Sequence, residues 1–600
     1  MEKSIAVGGV AGEGLDYSAF ESAIGLNWYE VDPNLRFLAD RLVAPEDRQW
    51  VEGHLQRMGA LCGGPIAARA EISDKHPPVL ERYDAWGNEV NRIAHHPTVL
   101  ETKRDLWDSG FLGLPWSEEV RQRGRPFPPM LGVSFYYFLS QAETGMLCSI
   151  GMTTALARTL ERHGPAGVRE RFLPHLTATS YADGWDGAMF MTEVKGGSDL
   201  ASSETQATYA GEHWLLNGSK WFCSNVDAQV ILTLARPQGA QPGLRGLALF
   251  LVPATKPDGS PNGIHIKRVK DKLGTRCVPT AEVDFVDAEA YLIAGERSDL
   301  SAATDGRGLN RMMDMVAESR LGVSIMGLGI MRRSFLDAAI YAADREAFGR
   351  RIDLWPPVRE TLVQMAVETE AAAALVFEAG EANAALPGKG DHRLSRILTP
   401  LAKFRAARRG VELASQAVEI FGGNGYIENW PVARQLRDGQ CHTIWEGAEN
   451  VICLDIQRAM IKEAAHEALL QRVESALSVA SDLAPSVPAL RQPIDAVEQT
   501  AREVREVIAY LARSDREVAM LHARRLAGYL ADLAQAALLL EEAVWETAHR
   551  GSARKALVAR IFADTHLVQR PLRGITSGDR AAIDHFDAIV RYQPVPAEAI

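Results

Sequence analysis

The sequence predicts a mostly helical α+β protein: an N-terminal helical domain, a central antiparallel β-barrel or sandwich, a helical bundle and an extra C-terminal helical domain. Three observations predict it. Most of 35–180 is helical in pattern, whereas 186 to about 295 holds short β-branched and aromatic runs broken by turn dipeptides. Helical periodicity then returns, with Leu321, Ile325 and Leu328 spaced by four and three, as are Val504, Ile508 and Leu511. These changes of pattern set domain boundaries at 1–185, 186–298, 299–462 and 463–600.

Taken in order, Pro45 and Glu46 read as the first turn of a helix, and 134–163 as one long apolar-rich run stopped by Gly164-Pro165. Within the β region, Asn217-Gly218 stands between Trp214-Leu-Leu216 and Lys220-Trp-Phe222, the strongest short-range hairpin cue in the chain. Further strands are expected at 229–235, 246–252 and 281–286. The region 308–460 reads as four or five long helices, where Gly327 and Gly329 imply close helix packing and Arg332-Arg333 a solvated face. Pro485, Pro488 and Pro493 mark a linker at 484–493, followed by an Ala/Leu-rich helical block to about 570.

Composition narrows function. Among 600 residues, 65 Lys and Arg face 77 Asp and Glu for a net charge of −12, which argues against a nucleic acid backbone or an anionic membrane as main partner. Six cysteines without a C-x-x-C exclude a disulfide scaffold and a zinc ribbon, and His95-His96-Pro97 has no second cluster at metal-ligand spacing, so no metal is expected. The stretch from Met1 lacks the apolar core of a signal peptide, and no run of 18 apolar residues spans a bilayer; the expected location is cytoplasmic.

Three segments carry candidate chemistry. Met191-Thr-Glu-Val-Lys-Gly-Gly-Ser-Asp199 is either a polar turn or a place where backbone and hydroxyls approach a polar ligand closely. Phe421-Gly-Gly-Asn-Gly-Tyr426 either cradles a phosphate or ends a helix through a left-handed cap; with no strand before it, it is not a Rossmann fingerprint. In His442-Thr-Ile-Trp-Glu-Gly-Ala-Glu-Asn450, Glu446 stands beside an indole and away from cations. There its ionised form is destabilised, which suits a general base; alternatively it caps the following helix. Cys441-His442 is a poor nucleophile–base pair, since adjacent side chains seldom face each other.

In this order the motifs resemble the acyl-CoA dehydrogenase flavoproteins. The T-E-x-x-x-G-S-D run, G-x-K-x-aromatic at 218–222 and Lys270-Asp-Lys-Leu-Gly274 resemble that family's β domain. Arg345-Glu-Ala-Phe-Gly349, the F-G-G turn, Arg437-Asp438 and Ile444-Trp-Glu-Gly447 resemble its C-terminal helical domain. Arg82-Tyr-Asp-Ala-Trp-Gly87, His95-His96-Pro97 and the run from Ile444 to Asp455 are similar to the AidB-like branch, which carries an extra C-terminal helical domain.

The resemblance implies FAD as cofactor and an acyl-CoA thioester as substrate, converted to the α,β-unsaturated form in fatty acid metabolism. It assigns Glu446 as the base for the α-proton and flavin N5 as hydride acceptor. Met191, Thr192 and Ser198 would lie at the flavin, Ser198 also near the thioester; Phe222 would pack on the isoalloxazine and Ser224 bond near N5. Arg345, Phe348, Gly422 and Gly423 would hold the adenosine diphosphate of a neighbouring subunit's FAD, with Trp445 and Asn450 also at the cofactor, and Arg320 and Gly447 at the substrate. A homo-oligomer, dimer or tetramer, and an acceptor such as an electron-transfer flavoprotein follow.

Departures from the family pattern are Glu419 for a glutamine and Ala448 for a threonine, both of which remove FAD contacts, Asn450 being placed to replace one. The base position used by some relatives is Ser319, and Glu318 points about 100° away from it on a helix. Two alternatives remain: a DNA-associated protective flavoprotein of the AidB type, and a same-fold flavin oxidase or monooxygenase. DNA is disfavoured because 461–600 carries 17 Lys and Arg against 19 Asp and Glu, although Arg524, Arg525, Arg554 and Lys555 form a possible patch.

Overall fold

The computed structural model describes residues 14–296, 299–384, 392–570 and 575–600, so the stretch from Met1 and the expected boundary at 298 lie outside the described residues. The chain divides into a sheet unit, 65–127 with 142–322, and a helical unit, comprising the residues up to Gly64, 128–141 and 323–600.

The sheet unit opens with a hairpin, β1 (Val79–Tyr83) and β2 (Glu89–Ala94), inside the region whose pattern is helical. Its strands are mostly exposed and bear Glu81, Arg82 and Arg92, so they lack the apolar alternation by which a strand is recognised. Seven strands follow: β3 (Gly187–Phe190), β4 (Gln206–Tyr209), β5 (Trp214–Ser224), β6 (Val230–Pro237), β7 (Ala248–Pro253), β8 (Ile264–Val269) and β9 (Thr280–Leu292). Their order is β3-β6-β4-β5-β9-β7, with β8 on β9, and an additional β6–β7 pairing closes β6, β4, β5, β9 and β7 into a barrel. The barrel is not wholly antiparallel, because β3 and β4 both run parallel to β6. A loop at 191–205, rather than a tight turn, carries the chain from β3 to β4 and lets it re-enter in the same direction.

Asn217-Gly218 does not turn the chain: β5 runs straight through it. Asn217 donates to Asp287 Oδ1 (2.8 Å) and accepts from the Asp287 N–H (3.0 Å), and the register against β9 slips between Leu216 and Gly218. A Cβ at Gly218 would stand 2.7 Å from Thr205 Cα, so the dipeptide marks a β-bulge under a crossing backbone. The turn lies earlier, where the Ala210 N–H meets the His213 carbonyl at 2.9 Å.

β6 and β7 are buried on both faces, which is why they read as unbroken apolar runs. Ile231, Phe250 and Val252 point into the barrel with Phe190, Trp214 and Phe285. Leu232, Leu234, Leu249 and Leu251 point outwards, in one cluster with Leu156, Leu160 and Phe172 of the helices Thr144–His163 and Ala166–Leu176. The expected 134–163 run is two helices, Pro129–Ala142 and Thr144–His163. The chain breaks at Glu143, whose carboxylate caps the second through the Gly145 N–H (3.2 Å) and accepts from Ser73 Oγ (3.0 Å).

In the helical unit, Pro356–Ala384, His392–Phe421, Pro431–His442 and Glu449–Glu463 pack with the C-terminal part of Gly308–Asp344. The expected linker at 484–493 is a short turn and a 3₁₀ segment at Pro488–Leu490, and Arg491–Leu511 begins the later helices. Of these, Ala523–Arg550 lies against Pro356–Ala384, His392–Phe421 and Glu449–Glu463, so the C-terminal extension shares a core with the bundle. Close packing at the two glycines is as expected: a Cβ at Gly327 would be 2.6 Å from the Ala406 carbonyl, and one at Gly329 within 1.8 Å of Ser140 Oγ. Gly327→Ala should therefore push helices apart and cost about 1–3 kcal/mol, read as a lowered denaturant midpoint with unchanged slope.

Arg332-Arg333 is not a solvated face, because residues 321–340 of that helix are buried all round. Arg332 Nε lies 3.1 Å from Asp32 Oδ2, an acceptor also for Tyr137 (2.6 Å), and Arg333 Nε lies 2.9 Å from Asp337. Arg554 and Lys555 are likewise withdrawn from any surface patch. Arg554 Nη1 meets Glu370 at 3.0 Å, and Lys555 Nζ meets Glu370 (2.8 Å), Glu542 (2.6 Å) and Asn34 (2.6 Å), all buried.

Among the described residues no helix is long and apolar enough to cross a membrane, no metal-ligand cluster forms, and none of the six cysteines is in a disulfide.

Candidate functional site

The expected site residues fall into two sets, one in each unit. Met191, Thr192, Ser198, Phe222, Ser224 and Arg320 belong to the sheet unit; Arg345, Phe348, Gly422, Gly423, Trp445, Glu446, Gly447 and Asn450 belong to the helical unit.

In the sheet unit the loop after β3 is held from below by a buried ion pair. Glu193 Oε1 accepts from Lys220 Nζ (2.8 Å) and Thr205 Oγ1 (2.7 Å), while Oε2 accepts from the Glu204 N–H (2.6 Å); Lys220 also donates to the Leu234 carbonyl (2.9 Å). Burial raises the Glu193 carboxyl, but the ammonium and these hydrogen bonds outweigh it and leave its pKa below the ordinary value. Burial pulls Lys220 down in turn. The acidic residue of the T-E motif is thus an anchor, and it leaves Met191 and Thr192 half-buried and Ser198 exposed at the surface. The Thr192 carbonyl receives the Trp221 N–H at 2.9 Å, tying the loop to β5, and a Cβ at Gly197 would press on Thr192 Oγ1 at 2.7 Å.

At that point β5 carries a second bulge. Its register against β9 jumps between Lys220 and Cys223, so Trp221 and Phe222 together face the single residue Glu282. The bulge turns Phe222 outwards, leaving it 55% exposed between two buried neighbours one and two residues away, Cys223 and Lys220. Lys270 Nζ stands 3.6 Å from the Trp221 ring centre and 4.9 Å from that of Phe222, and is steered by Glu282 at 2.8 Å. Ser224 shares a hydrogen bond with Thr280 Oγ1 (2.9 Å). Arg320 and Ser319 are half-buried on Gly308–Asp344, and Glu318 is committed to Arg158 at 2.7 Å.

In the helical unit, Glu346–Ala347 and Arg350–Arg351 pair around Phe348 and Gly349, both at positive φ (54° and 81°), as a two-residue hairpin turn requires. Phe348 at the tip is 93% exposed, and Arg345 is exposed beside it. Gly422, at φ 60°, ends His392–Phe421 through a left-handed cap and leaves Gly422 and Gly423 exposed.

Glu446 lies on the turn joining Pro431–His442 to Glu449–Glu463, half-buried beside the half-buried Trp445. The N-cap position of the second helix is Ala448, which makes no side-chain hydrogen bond. Glu446 and Gly447 both take positive φ, 54° and 111°, a backbone natural for glycine and costly for glutamate. Asn450 is exposed in the first turn. His442 is buried, and burial followed by the nearby Lys403 lowers its pKa to about 3, so it is neutral and no partner for Cys441 as an acid–base pair. The turn is not remote from cations as its local sequence implies. Lys403 Nζ donates to the Gly447 carbonyl at 2.6 Å, and Glu449 meets Arg408 (2.6 Å) and Arg524 (2.8 Å). Lys403 had a visible signal, a single ammonium within Leu401-Ala-Lys-Phe404, but nothing local says what it touches.

Comparison with known proteins covers nearly the whole chain. Residues 20–183 match the adaptive response protein AidB N-terminal domain, 188–288 the acyl-CoA dehydrogenase middle domain, 306–461 the acyl-CoA dehydrogenase C-terminal domain, and 464–584 the acyl-CoA dehydrogenase 11 C-terminal domain-like model. The acyl-CoA dehydrogenase family member 11 of Caenorhabditis elegans is 30% identical over 80% of this chain and 78% of its own length. The putative acyl-CoA dehydrogenase AidB of Escherichia coli is 31% identical over 75% and 81%. The crystal structure of Caenorhabditis elegans ACDH-11 in complex with C11-CoA superposes with a TM-score of 0.84 at 28% identity, covering 96% of this chain and 97% of that one.

Proposed function

The chain belongs to the acyl-CoA dehydrogenase family, with an AidB-type N-terminal domain, and from that premise we propose that it oxidises an acyl-CoA thioester to its α,β-unsaturated form. Glu446 is the base. The observation that carries this reading is its backbone, since a glutamate held at φ 54° beside a glycine at 111° is a strain that persists where the surroundings over-determine it for use.

Members of the family work with FAD, and the residues of this chain suit it. The bulge at Phe222 presents a flat apolar ring, Ser224 a hydroxyl, and Thr192 lies so close to Gly197 that a Cβ there would stand 2.7 Å from its Oγ1. Met191, Thr192, Phe222 and Ser224 are assigned to the flavin, with Trp445 and Asn450, and Ser198 to both flavin and thioester. Arg345, Phe348, Gly422 and Gly423 are assigned to the adenosine diphosphate. The near-complete exposure of Phe348 suits a residue serving a second copy of the chain, hence a homo-oligomer. FAD, when bound, supplies the acceptor at N5 for the hydride leaving the β-carbon.

The chain's own residues do the rest. The Glu446 carboxylate takes the α-proton, a weak acid that yields only if the developing enolate is stabilised, and the Glu446 N–H is placed in this reading as a donor to the thioester oxygen. Gly447 and Arg320 are each assigned to the substrate. Electrons then pass to an acceptor such as an electron-transfer flavoprotein. The test is anaerobic titration of the yellow protein with a panel of acyl-CoAs. Flavin bleaching by at least one of them is the expected result, and a flavin that no acyl-CoA bleaches overturns the reading.

A further inference from the structure

We propose that Lys403 is the positioning residue for the base, clamping the turn that carries Glu446 from its inner side; the proposal rests on Glu446 being the base. Lys403 is fully buried in His392–Phe421 among Leu401, Ala402, Ala406 and Ala407. Burying an ammonium there opposes folding, and an apolar side chain of similar length would pack without that penalty, so its presence calls for a reason other than packing. Its hydrogen bonds supply one. Nζ donates to the Gly447 carbonyl at 2.6 Å and reaches the Thr443 carbonyl at 3.4 Å, bonds that span 44 and 40 residues of sequence.

These two carbonyls bracket Ile444, Trp445 and Glu446. One ammonium thus fixes both ends of a five-residue turn and holds Glu446 and Gly447 in the left-handed region, where a glutamate would not remain unaided. Other titratable groups lie close to the turn. His442 is neutral, the Cys453 thiol is pushed up to about 11 by burial and then by Glu449, and Glu449 is held between Arg408 and Arg524. Lys403 thus places a positive charge against the turn through both carbonyls, one of them adjacent to Glu446.

The test compares FAD-loaded Lys403→Met, Lys403→Gln and Lys403→Arg with the parent and with Glu446→Gln. Lys403→Met should slow flavin reduction by a saturating acyl-CoA roughly 100-fold in fully FAD-loaded protein, the usual cost of a displaced reacting group. The acid limb of its pH–rate profile should move to higher pH, and Lys403→Arg should bring that limb back. In the protein without FAD, amide hydrogen exchange at 443–448 should speed up in Lys403→Met. Parent-like rate, limb and exchange in Lys403→Met overturn the proposal. Should Lys403→Met not fold, Lys403→Gln, which keeps a donor without the charge, decides: a limb that stays put overturns the proposal. The Glu446→Gln arm separates the two ideas, because flavin reduction surviving there removes the base assignment itself, whatever Lys403 does.

Discussion

The Glu446→Gln protein should keep its FAD and lose substrate-dependent bleaching, the rate of flavin reduction falling by roughly 10²–10⁴-fold, the range a positioned general base contributes. The carboxamide matches the carboxylate in size, so the turn at φ 54° need not change, and none of the residues assigned to the flavin ring in the sheet unit is altered. What goes is the proton acceptor. The base position used by some relatives, before Arg320, is a serine here, and Glu318 is committed to Arg158 at 2.7 Å and Arg162 at 3.7 Å. Stopped-flow absorbance of the flavin under anaerobic conditions measures the effect. Bleaching at the parent rate would show that the α-proton leaves by another route.

Glu370→Ala should be the most destabilising single change in the helical unit. It removes the carboxylate that Arg554 and Lys555 share and strands a buried guanidinium, a loss of about 3–5 kcal/mol for breaking one side of a buried pair. The same carboxylate predicts acid sensitivity. Burial raises the Glu370 pKa, yet Arg554 and Lys555 overcome this and hold it at about 2, below its ordinary 4.5. A carboxyl depressed on folding stabilises above its unfolded pKa, so this contribution, roughly 3 kcal/mol, is complete above pH 4.5 and is lost as pH falls towards 2. Glu546, which burial raises, acts in the opposite sense and blunts the loss. Thermal unfolding between pH 5 and 3, in the parent and in Glu370→Ala, checks this: the pH dependence should be weaker in the variant.

Because Glu370 lies on Pro356–Ala384 while Arg554 and Lys555 lie on Arg554–His566, the extension is bonded to the bundle through the same cluster. A chain cut after 462 should leave Glu370 without its cations and be recovered in aggregates rather than as a smaller folded protein.

Much of the fold was legible because secondary structure is written in short-range periodicity. The β6 and β7 runs, the five long helices between 308 and 463 and the stop at Gly164 all follow from residues a few positions apart. What failed did so where a distant partner or a missing apolar stripe hid the element. Asn217-Gly218 reads as a turn until Asp287 engages Asn217; the charged hairpin at 79–94 has no apolar stripe to betray it; and Arg332-Arg333 reads as solvated until Asp32 and Asp337 appear beside it.

The candidate site divides in the same way. The motifs that hold Glu446, Phe222 and Thr192 are contiguous, so the sequence by itself determined the family and the order of its matched domains, and it named the side chains proposed for the chemistry. Only the tertiary structure decided how each is presented: the bulge that turns Phe222 outwards against β9, the left-handed backbone under Glu446, and the lysine forty residues away that grips its turn. Local pattern sets which face of an element is apolar, whereas the burial of a charge is stable only when an opposite charge or a set of carbonyls arrives from elsewhere in the chain, and that meeting exists only in the folded protein.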